Sequence, residues 1–375
     1  MKNPLLILFL FSIVFAGCDN SEKKSEESSQ WIREIEQLIN ERHQNSAFDG
    51  TLVIGSQDQI LMNYAAGTAD HTWNAPIKKD TRFDIASLNK SFQAGLILKA
   101  VEEGELSLED RLLDFFPELP FDSLITIHQL LTHTSGLPDY DAVDETLKAD
   151  QFESFKRRSF TNTAYAKFIS TLEPVGQPGQ QFYYSNFGYH LLTLILEKIY
   201  NQSFDDILQE KICRPFQLTN TFSETDNQKV HKRVAEGYTF ATSDSTYRRN
   251  NFIDLSLGRR IFSTSADLYN WSNLLMSGEF ISKASYRLMT TNHLKKIEEN
   301  ISYGYGFVVF DGGEYAMGNL GIDEEYIIHG GRTEGYKSML VNVNNGELIL
   351  AFLTNVGNQV NEIELTQTIL KTKIK

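Results

Sequence analysis

The sequence has few cysteines and lacks the residue clusters that bind metals in proteins. Only Cys18 and Cys213 occur among the 375 residues, so an internal disulfide is not expected. None of the eight histidines belongs to an HExxH pattern, and the nearest pair, His128 and His133, is five positions apart. Helical metal ligands are instead three or four positions apart. The sequence therefore predicts no metal and no cofactor.

Positive charge is also scarce. Lys and Arg number 35 against 49 Asp and Glu, which gives a formal net charge of -14. Such a surface repels polyanions, so nucleic acid is not expected as a partner. A hydrophobic content of 41% with 12% aromatic residues is instead typical of a globular protein with a substantial core, in one large domain or two smaller ones.

The first residues, MKNPLLILFLFSIVFAGCDN, have the pattern of a secretory signal. The apolar run is too short to span a bilayer comfortably. Residues 15–18, Phe-Ala-Gly-Cys, resemble the bacterial lipoprotein box, with Phe15 where Leu is usual. This resemblance implies that residues 1–17 are a signal peptide and that Cys18 becomes the diacylated first residue of an exported lipoprotein. A plain signal peptide cut near Ala16 is the alternative.

Residues 18–30 are polar and show no apolar periodicity. This composition predicts a flexible tether between the lipid anchor and the folded protein. The anchor would attach the protein to a bacterial membrane, facing the periplasm or the cell exterior, and the sequence does not distinguish the inner from the outer membrane. The folded domain is expected over residues 31–375, as a monomer.

The remaining chain predicts strands at both ends and helices between them. An amphipathic helix is expected at 31–43, a β-hairpin follows it, and a second hairpin turns at 344–346, Asn-Asn-Gly. We therefore predict an α/β fold of the α+β type, in which residues 31–86 and 255–375 form an antiparallel sheet flanked by helices. Residues 87–254 would form a mainly helical insertion, with a cleft between the two parts.

Ser87 and Lys90 lie three positions apart in FDIASLNKSFQAG, where an extended stretch gives way to a helix. Residues with this spacing share a helix face, so the Lys90 amine can approach the Ser87 hydroxyl. A serine becomes a strong nucleophile when a neighbouring base removes its proton. The same spacing recurs at Ser21 and Lys24 in the polar segment, and a serine at a helix start ordinarily acts only as a cap. The spacing alone therefore does not identify a catalytic pair.

Two further stretches bring polar groups to turns. Tyr184 and Asn186 flank a serine directly before an apolar helix, and a strand ends at His329 with Gly330 and Gly331 after it. Taken separately, the first is explained by a helix cap and a core aromatic, and the second by a turn that needs glycine.

In this order the three stretches resemble the superfamily of serine β-lactamases and penicillin-binding proteins, specifically its class C-like branch of β-lactamases, D,D-peptidases and esterases. That family has the motifs Ser-x-x-Lys, Tyr-x-Asn, and Lys or His followed by x-Gly. They are present here as Ser87-Leu-Asn-Lys90, Tyr184-Ser-Asn186 and His329-Gly-Gly331. Similar flanking stretches at 81–87, 127–140, 258–268, 303–307 and 331–336 extend the resemblance over residues 32–360.

The resemblance implies a β-lactamase/transpeptidase-like fold and a serine hydrolase that acts on a small molecule or a peptide. Ser87 would form an acyl-enzyme with an ester, an amide or a peptide. Lys90 and Tyr184 would handle the Ser87 proton, and which of them is the base stays open. The backbone N–H groups of Ser87 and Arg332 would stabilise the oxyanion.

The resemblance also implies substrate-binding residues. Asn186 would bind a substrate amide or hold Lys90, His329 would supply a weak charge with a reference pKa near 6.5, and two glycines would let substrate approach the strand, Gly330 and Gly331. Gly330 stands where antibiotic-directed members have a hydroxyl residue, which favours an esterase or small-amide hydrolase over a dedicated β-lactamase or carboxypeptidase.

The sequence also bears on the roles of two further residues and on the choice between an enzyme and a binding module. The Arg332 side chain is a candidate carboxylate fork, although an exposed arginine is more often only solvated. His133 is expected to order a loop behind the site. The alternative to an enzyme is a catalytically inactive binding or sensory module with the same fold.

Overall fold

The computed structural model describes residues 18–140, 143, 161–224, 229–249 and 260–373. Its strands are β1 Gly50–Gly55, β2 Ile60–Ala66, β3 Thr68–Asp70, β4 Ala75–Pro76, β5 Phe83–Asp84, β6 Phe222–Glu224, β7 Tyr238–Ala241, β8 Thr246–Arg249, β9 Arg260–Ser263, β10 Val308–Phe310, β11 Tyr326–Arg332, β12 Lys337–Val343 and β13 Leu348–Thr354. Its helices are α1 Cys18–Gln44, α2 Asn89–Glu102, α3 Leu112–Phe115, α4 Ile127–Leu131, α5 Asn162–Ile169, α6 Asn186–Tyr200, α7 Phe204–Leu208, α8 Ser265–Ser277, α9 Lys283–Met289 and α10 Glu362–Lys373.

A six-stranded sheet in the order β10-β11-β12-β13-β1-β2 forms the centre of the fold. All its neighbouring strands pair antiparallel. The two ends of the chain meet where β1 pairs with β13, with Gly50 opposite Thr354. The predicted α/β fold, with an antiparallel sheet built from both ends of the chain, is confirmed.

Both faces of this sheet are covered, so every residue of its central strands β1, β12 and β13 is buried. On β13, Leu350 and Phe352 pack in the same cluster as residues of α1 and α10, while Ile349, Ala351 and Leu353 pack with α2 and α8. Successive side chains of a strand point to opposite faces, which explains this division. The α1/α10 layer and the α2/α8 layer therefore sandwich the sheet.

The hairpin between β12 and β13 forms where the sequence predicts it. Asn344, Asn345 and Gly346 all have positive φ angles, of 47°, 50° and 95°. Asn and Gly adopt this left-handed conformation more readily than other residues, so the sequence at this turn specifies the connection.

Side-chain caps begin two helices of the inserted part. The Thr126 and Gln129 side chains form a capping box at α4, and the Ser185 hydroxyl accepts the Gly188 N–H at the start of α6. A hydroxyl at such a position satisfies an N–H group that the helix itself leaves unpaired.

Two predictions need correction: the flexible tether at 18–30 and the mainly helical insertion. Residues 18–30 belong to helix α1 instead of an irregular tether. Glu and Lys are good helix formers, so the helix that packs from Trp31 onward continues back through this polar segment. The insertion is also less helical than expected, because residues 229–249 carry the β7–β8 hairpin, whose Tyr238 N–H donates to the Asn355 carbonyl at 2.8 Å.

The two parts of the fold share a small three-stranded sheet in the order β5-β9-β6. The predicted signal peptide at 1–17 and the predicted boundary at residues 254 and 255 lie outside the described residues. Among the described helices, none is both long and apolar enough to cross a membrane.

Candidate active site

Ser87 lies in a tight turn between β5 and α2. The turn, Ala86–Leu88, is a single 3₁₀ turn, and Ala86 adopts a positive φ of 49° that is costly for a residue with a side chain. Asp84 accepts the Ala86 N–H at 2.9 Å and pairs with Arg260 at 2.7 Å. The strained turn is thus fixed by a carboxylate that is itself held by a cation.

Lys90 lies one helical turn beyond Ser87 and is buried. Its Nζ lies 3.4 Å from the Ser87 Oγ and 2.7 Å from the Asn186 Oδ1. The same Nζ is 4.9 Å from the centre of the Tyr184 ring, a distance at which the face of an aromatic ring attracts a cation. The structure therefore joins Ser87, Lys90 and Asn186 through polar contacts and places the Tyr184 ring beside the Lys90 amine.

His133 holds the backbone on both sides of Tyr184. Its carbonyl accepts the Tyr183 N–H at 2.8 Å, and its Nδ1 accepts the Ser185 N–H at 3.0 Å. The rings of His133 and Tyr184 lie 4.3 Å apart. Burial lowers the pKa of His133 well below 6.5, so the imidazole is neutral with its proton on Nε2. His133 thus orders the Tyr184 loop through neutral contacts.

Asn186 holds Lys90 from the first residue of α6. Its amide oxygen accepts from Lys90, and its Nδ2 donates to Asp139 Oδ2 at 2.9 Å. The Asn186 N–H also donates to Asp139 Oδ1, at 3.0 Å. Of the two roles left open by the sequence, these contacts favour the one in which Asn186 positions Lys90.

His329 is buried and neutral in the middle of β11, which continues to Arg332 instead of ending at His329 as predicted. Its Nδ1–H donates to the Gly330 carbonyl at 2.7 Å, and the Tyr303 hydroxyl donates to Nε2 at 3.1 Å. Burial, with a smaller effect from the Lys90 charge, lowers the pKa of His329 to about 3. The prediction that His329 supplies a charge with a pKa near 6.5 is wrong, because the imidazole is removed from water beside a cation.

The two glycines of the third motif differ in their surroundings. A Cβ on Gly331 would lie 2.1 Å from the Ile85 carbonyl oxygen and 3.0 Å from the Ser87 nitrogen. A Cβ on Gly330 would meet nothing closer than 3.5 Å, at Met339. Glycine at 331 therefore lets β11 approach the nucleophile turn, which is a different reason from the expected clearance for substrate.

Arg332 places its backbone N–H at an open edge of β11. The Thr333 N–H donates to Tyr336 of the β12 side, and antiparallel pairs alternate, so the Arg332 N–H points away from β12. On that outer side β10 begins at Val308, opposite Ile328, and within the described residues no strand of the sheet pairs with β11 beyond Ile328. A Cβ on Gly331 would lie 3.0 Å from the Ser87 nitrogen, so the strand residue before Arg332 lies beside the nucleophile turn.

The Arg332 side chain points to the other face of the sheet. Its guanidinium lies 3.5 Å from the Glu362 carboxylate at the start of α10 and is 72% exposed. Glu362 is also 3.0 Å from the buried Lys337. The structure therefore does not support Arg332 as a fork for a substrate carboxylate.

The sequence matches the Beta-lactamase family over residues 35–372. The chain belongs to that family. Among curated relatives, "Penicillin-binding protein 4*" of Bacillus subtilis is 28% identical over 352 residues, which cover 91% of this chain and 74% of that protein. "Protein flp" of Staphylococcus aureus is 25% identical over 338 residues, and the chain spans only 63% of its length.

Solved structures of this family share the fold. A penicillin-binding protein from Bacillus halodurans superposes with a TM-score of 0.74 at 22% identity, covering 89% of this chain and 98% of that one. The D-amino acid amidase from Ochrobactrum anthropi, in complex with L-phenylalanine amide, has a TM-score of 0.74 at 21% identity, covering 92% and 98%.

As a Beta-lactamase family member, the chain is a serine hydrolase. The arrangement can carry out acyl transfer, because a nucleophile, a buried amine and backbone donors lie around the Ser87 turn. Within the described residues, no group of three or more His, Cys, Asp or Glu side chains is arranged to hold a metal ion.

Sequence reasoning missed Asp139. Its contacts with Asn186 join residues 47 positions apart, and burial raises the pKa of this carboxyl to about 6. The available signal was the stretch LPDY at 137–140, which places an acidic residue directly after an apolar loop inside a family-like flank.

Proposed function

We propose that this protein is an exported, membrane-anchored hydrolase that forms an acyl-enzyme on Ser87 and cleaves esters or amides without a carboxylate beside the scissile bond. The observation that carries the proposal is the contrast between two motifs. Lys90 places a cation 3.4 Å from the Ser87 oxygen, whereas His329 in the third motif is buried and neutral.

The reaction begins when the Ser87 oxygen attacks the substrate carbonyl. Its proton passes to Lys90 if that side chain reacts as the neutral amine, or to Tyr184 if it reacts as the phenolate, while the N–H groups of Ser87 and Arg332 stabilise the negative oxygen. The tetrahedral intermediate collapses, and the leaving alcohol or amine takes a proton from the site. Water then attacks the ester bond to Ser87, which releases the acid and restores the hydroxyl.

The substrate class follows from the residues of the third motif, beside Ser87. A substrate carboxylate would need a cation or a hydroxyl, and His329 and Gly330 supply neither. Arg332 is directed to Glu362 instead. By its name, the D-amino acid amidase that shares the fold acts on amides, which is one of the two bond types proposed here.

A matched substrate pair tests this proposal. N-acetyl-D-alanyl-D-alanine and its C-terminal amide contain the same scissile bond and differ only in the terminal carboxylate. We expect kcat/KM to be about tenfold higher for the amide, which corresponds to one charge-assisted contact. Equal values, or faster turnover of the free acid, would contradict the substrate class. Ser87→Ala is the control for background hydrolysis.

The membrane anchor is tested separately. We expect the full chain expressed in a bacterium to fractionate with membranes, and Cys18→Ser to fractionate with soluble protein, because two acyl chains anchor a protein stably. Identical membrane association of both proteins would contradict lipidation at Cys18.

A further inference from the structure

Asp139 is an acidic side chain eight residues after the end of α4. Its two carboxylate oxygens receive different hydrogen bonds from one residue: Oδ1 from the Asn186 backbone N–H at 3.0 Å and Oδ2 from the Asn186 side-chain amide at 2.9 Å. The mechanism proposed above assigns Asp139 no task.

These bonds determine which way the Asn186 amide is turned. An ammonium group only donates hydrogen bonds, and a carboxylate only accepts them. An amide between the two must therefore direct its NH₂ to the carboxylate and its oxygen to the ammonium. That is the arrangement observed, with the Asn186 Oδ1 2.7 Å from the Lys90 Nζ.

The charges around Asp139 favour this role. Lys90 on α2 is the charged group that stabilises the carboxylate, and the start of α6 adds the positive end of a helix dipole. The nearby imidazoles of His133 and His329 are neutral. Negative charge thus lies on the far side of Asn186 from the Lys90 cation.

We propose that Asp139 is a positioning residue for acylation: it fixes the Asn186 amide, which in turn fixes the distance between Lys90 and the Ser87 hydroxyl. The inference rests on the proposed function, since it assumes that Ser87 is acylated. Asp139 thereby joins Ser87, Tyr184 and Asn186 in setting the position of the Lys90 amine, although it does not itself contact the nucleophile.

The test compares wild type with Asp139→Asn, using p-nitrophenyl acetate and counting active sites by the burst of p-nitrophenol. An asparagine here presents an NH₂ group to a donor, so the Asn186 amide loses its fixed orientation. We expect the rate constant of the burst, which reports acylation, to fall about 10- to 100-fold, with KM changed by no more than about threefold. A burst rate constant within about twofold of wild type would overturn the proposal.

The pH profile gives a readout that a merely structural role would not move. Burial raises the pKa of Asp139 to about 6, and the protonated acid can no longer accept both bonds. We expect the wild-type kcat/KM to decline below about pH 6, and Asp139→Asn to lack that decline. The same decline in both proteins would contradict the assignment.

A double-mutant cycle covers the case in which Asp139→Asn folds poorly. If Asp139 acts through Asn186, replacing it in an Asn186→Ala background should cost less than about threefold in the rate constant of acylation. A full independent loss in that background would overturn the proposal. Equal hydrolysis by wild type and Ser87→Ala would instead refute acylation itself, so the two failures are distinguishable.

Discussion

A Cβ atom on Gly331 would lie 3.0 Å from the backbone nitrogen of Ser87. The same atom would be only 2.1 Å from the Ile85 carbonyl oxygen, so a side chain at 331 must push the nucleophile turn away from β11. We expect Gly331→Ala to lower kcat/KM for p-nitrophenyl acetate by about 100-fold, the typical effect of losing one oxyanion donor.

The neighbouring glycine is the matched control. Gly330 faces the α1/α10 layer, where a Cβ atom added to it would lie 3.5 Å from the Met339 side chain, an ordinary van der Waals distance. The fall in kcat/KM for Gly330→Ala should therefore be smaller than that for Gly331→Ala by a factor of at least about ten. Equal losses for the two variants would show that the approach of β11 to Ser87 is not the reason for glycine at 331.

Lys90 and Tyr184 are both expected to handle the Ser87 proton. We expect Lys90→Ala and Tyr184→Phe each to lower the rate of acylation by about 100-fold, which is within the usual range for general acid–base catalysis. Stopped-flow measurement of the p-nitrophenol burst reports this step. Near-normal acylation in either variant would remove that residue from the assignment.

The neutral His329 predicts a pH dependence of stability. Its folded pKa, about 3, lies below the unfolded value of 6.5, so the unfolded state binds the extra proton between these values. Its contribution to stability is therefore complete above pH 6.5 and decreases as the pH falls. Between pH 7 and 5, wild type should lose about 2 kcal/mol relative to His329→Gln.

Urea unfolding of both proteins at the two pH values measures this difference. Asp139, whose raised pKa has the opposite effect on stability between pH 4 and 6, is present in both proteins and cancels in the comparison. A parallel pH dependence of the two proteins would show that His329 titrates normally.

Local sequence patterns predicted much of this fold and site. The Asn-Asn-Gly turn, the cap at Ser185 and the Ser87–Lys90 spacing each involve residues a few positions apart. Such features are specified by short-range geometry, which a sequence displays directly.

What the sequence did not predict depends on contacts between distant residues. The pKa of His329 is set by burial against Tyr303 and by Lys90, and the role of Asp139 depends on Asn186, 47 positions away. The helical conformation of residues 18–30 depends in the same way on α1 packing from Trp31 onward. The polar composition of residues 18–30 alone does not reveal that the packing at Trp31 holds this helix.

Trp31 is where the packing of the N-terminal helix begins. The side chain is buried, and its Nε1–H donates to the Thr372 hydroxyl of α10 at 3.0 Å. We expect Trp31→Ala to lower the free energy of unfolding by about 3 kcal/mol. Deletion of residues 18–30 should leave it within about 0.5 kcal/mol of the intact domain. A large loss from the deletion would mean that the polar part of α1 stabilises the fold.

The Ser87 nucleophile is tested most directly by intact-protein mass spectrometry after exposure to a fluorophosphonate, followed by peptide mapping. The wild-type protein should gain the mass of one phosphonyl group, carried by the peptide containing Ser87, and Ser87→Ala should gain none. An unmodified wild-type protein, or the same adduct on both proteins, would contradict a Ser87 nucleophile.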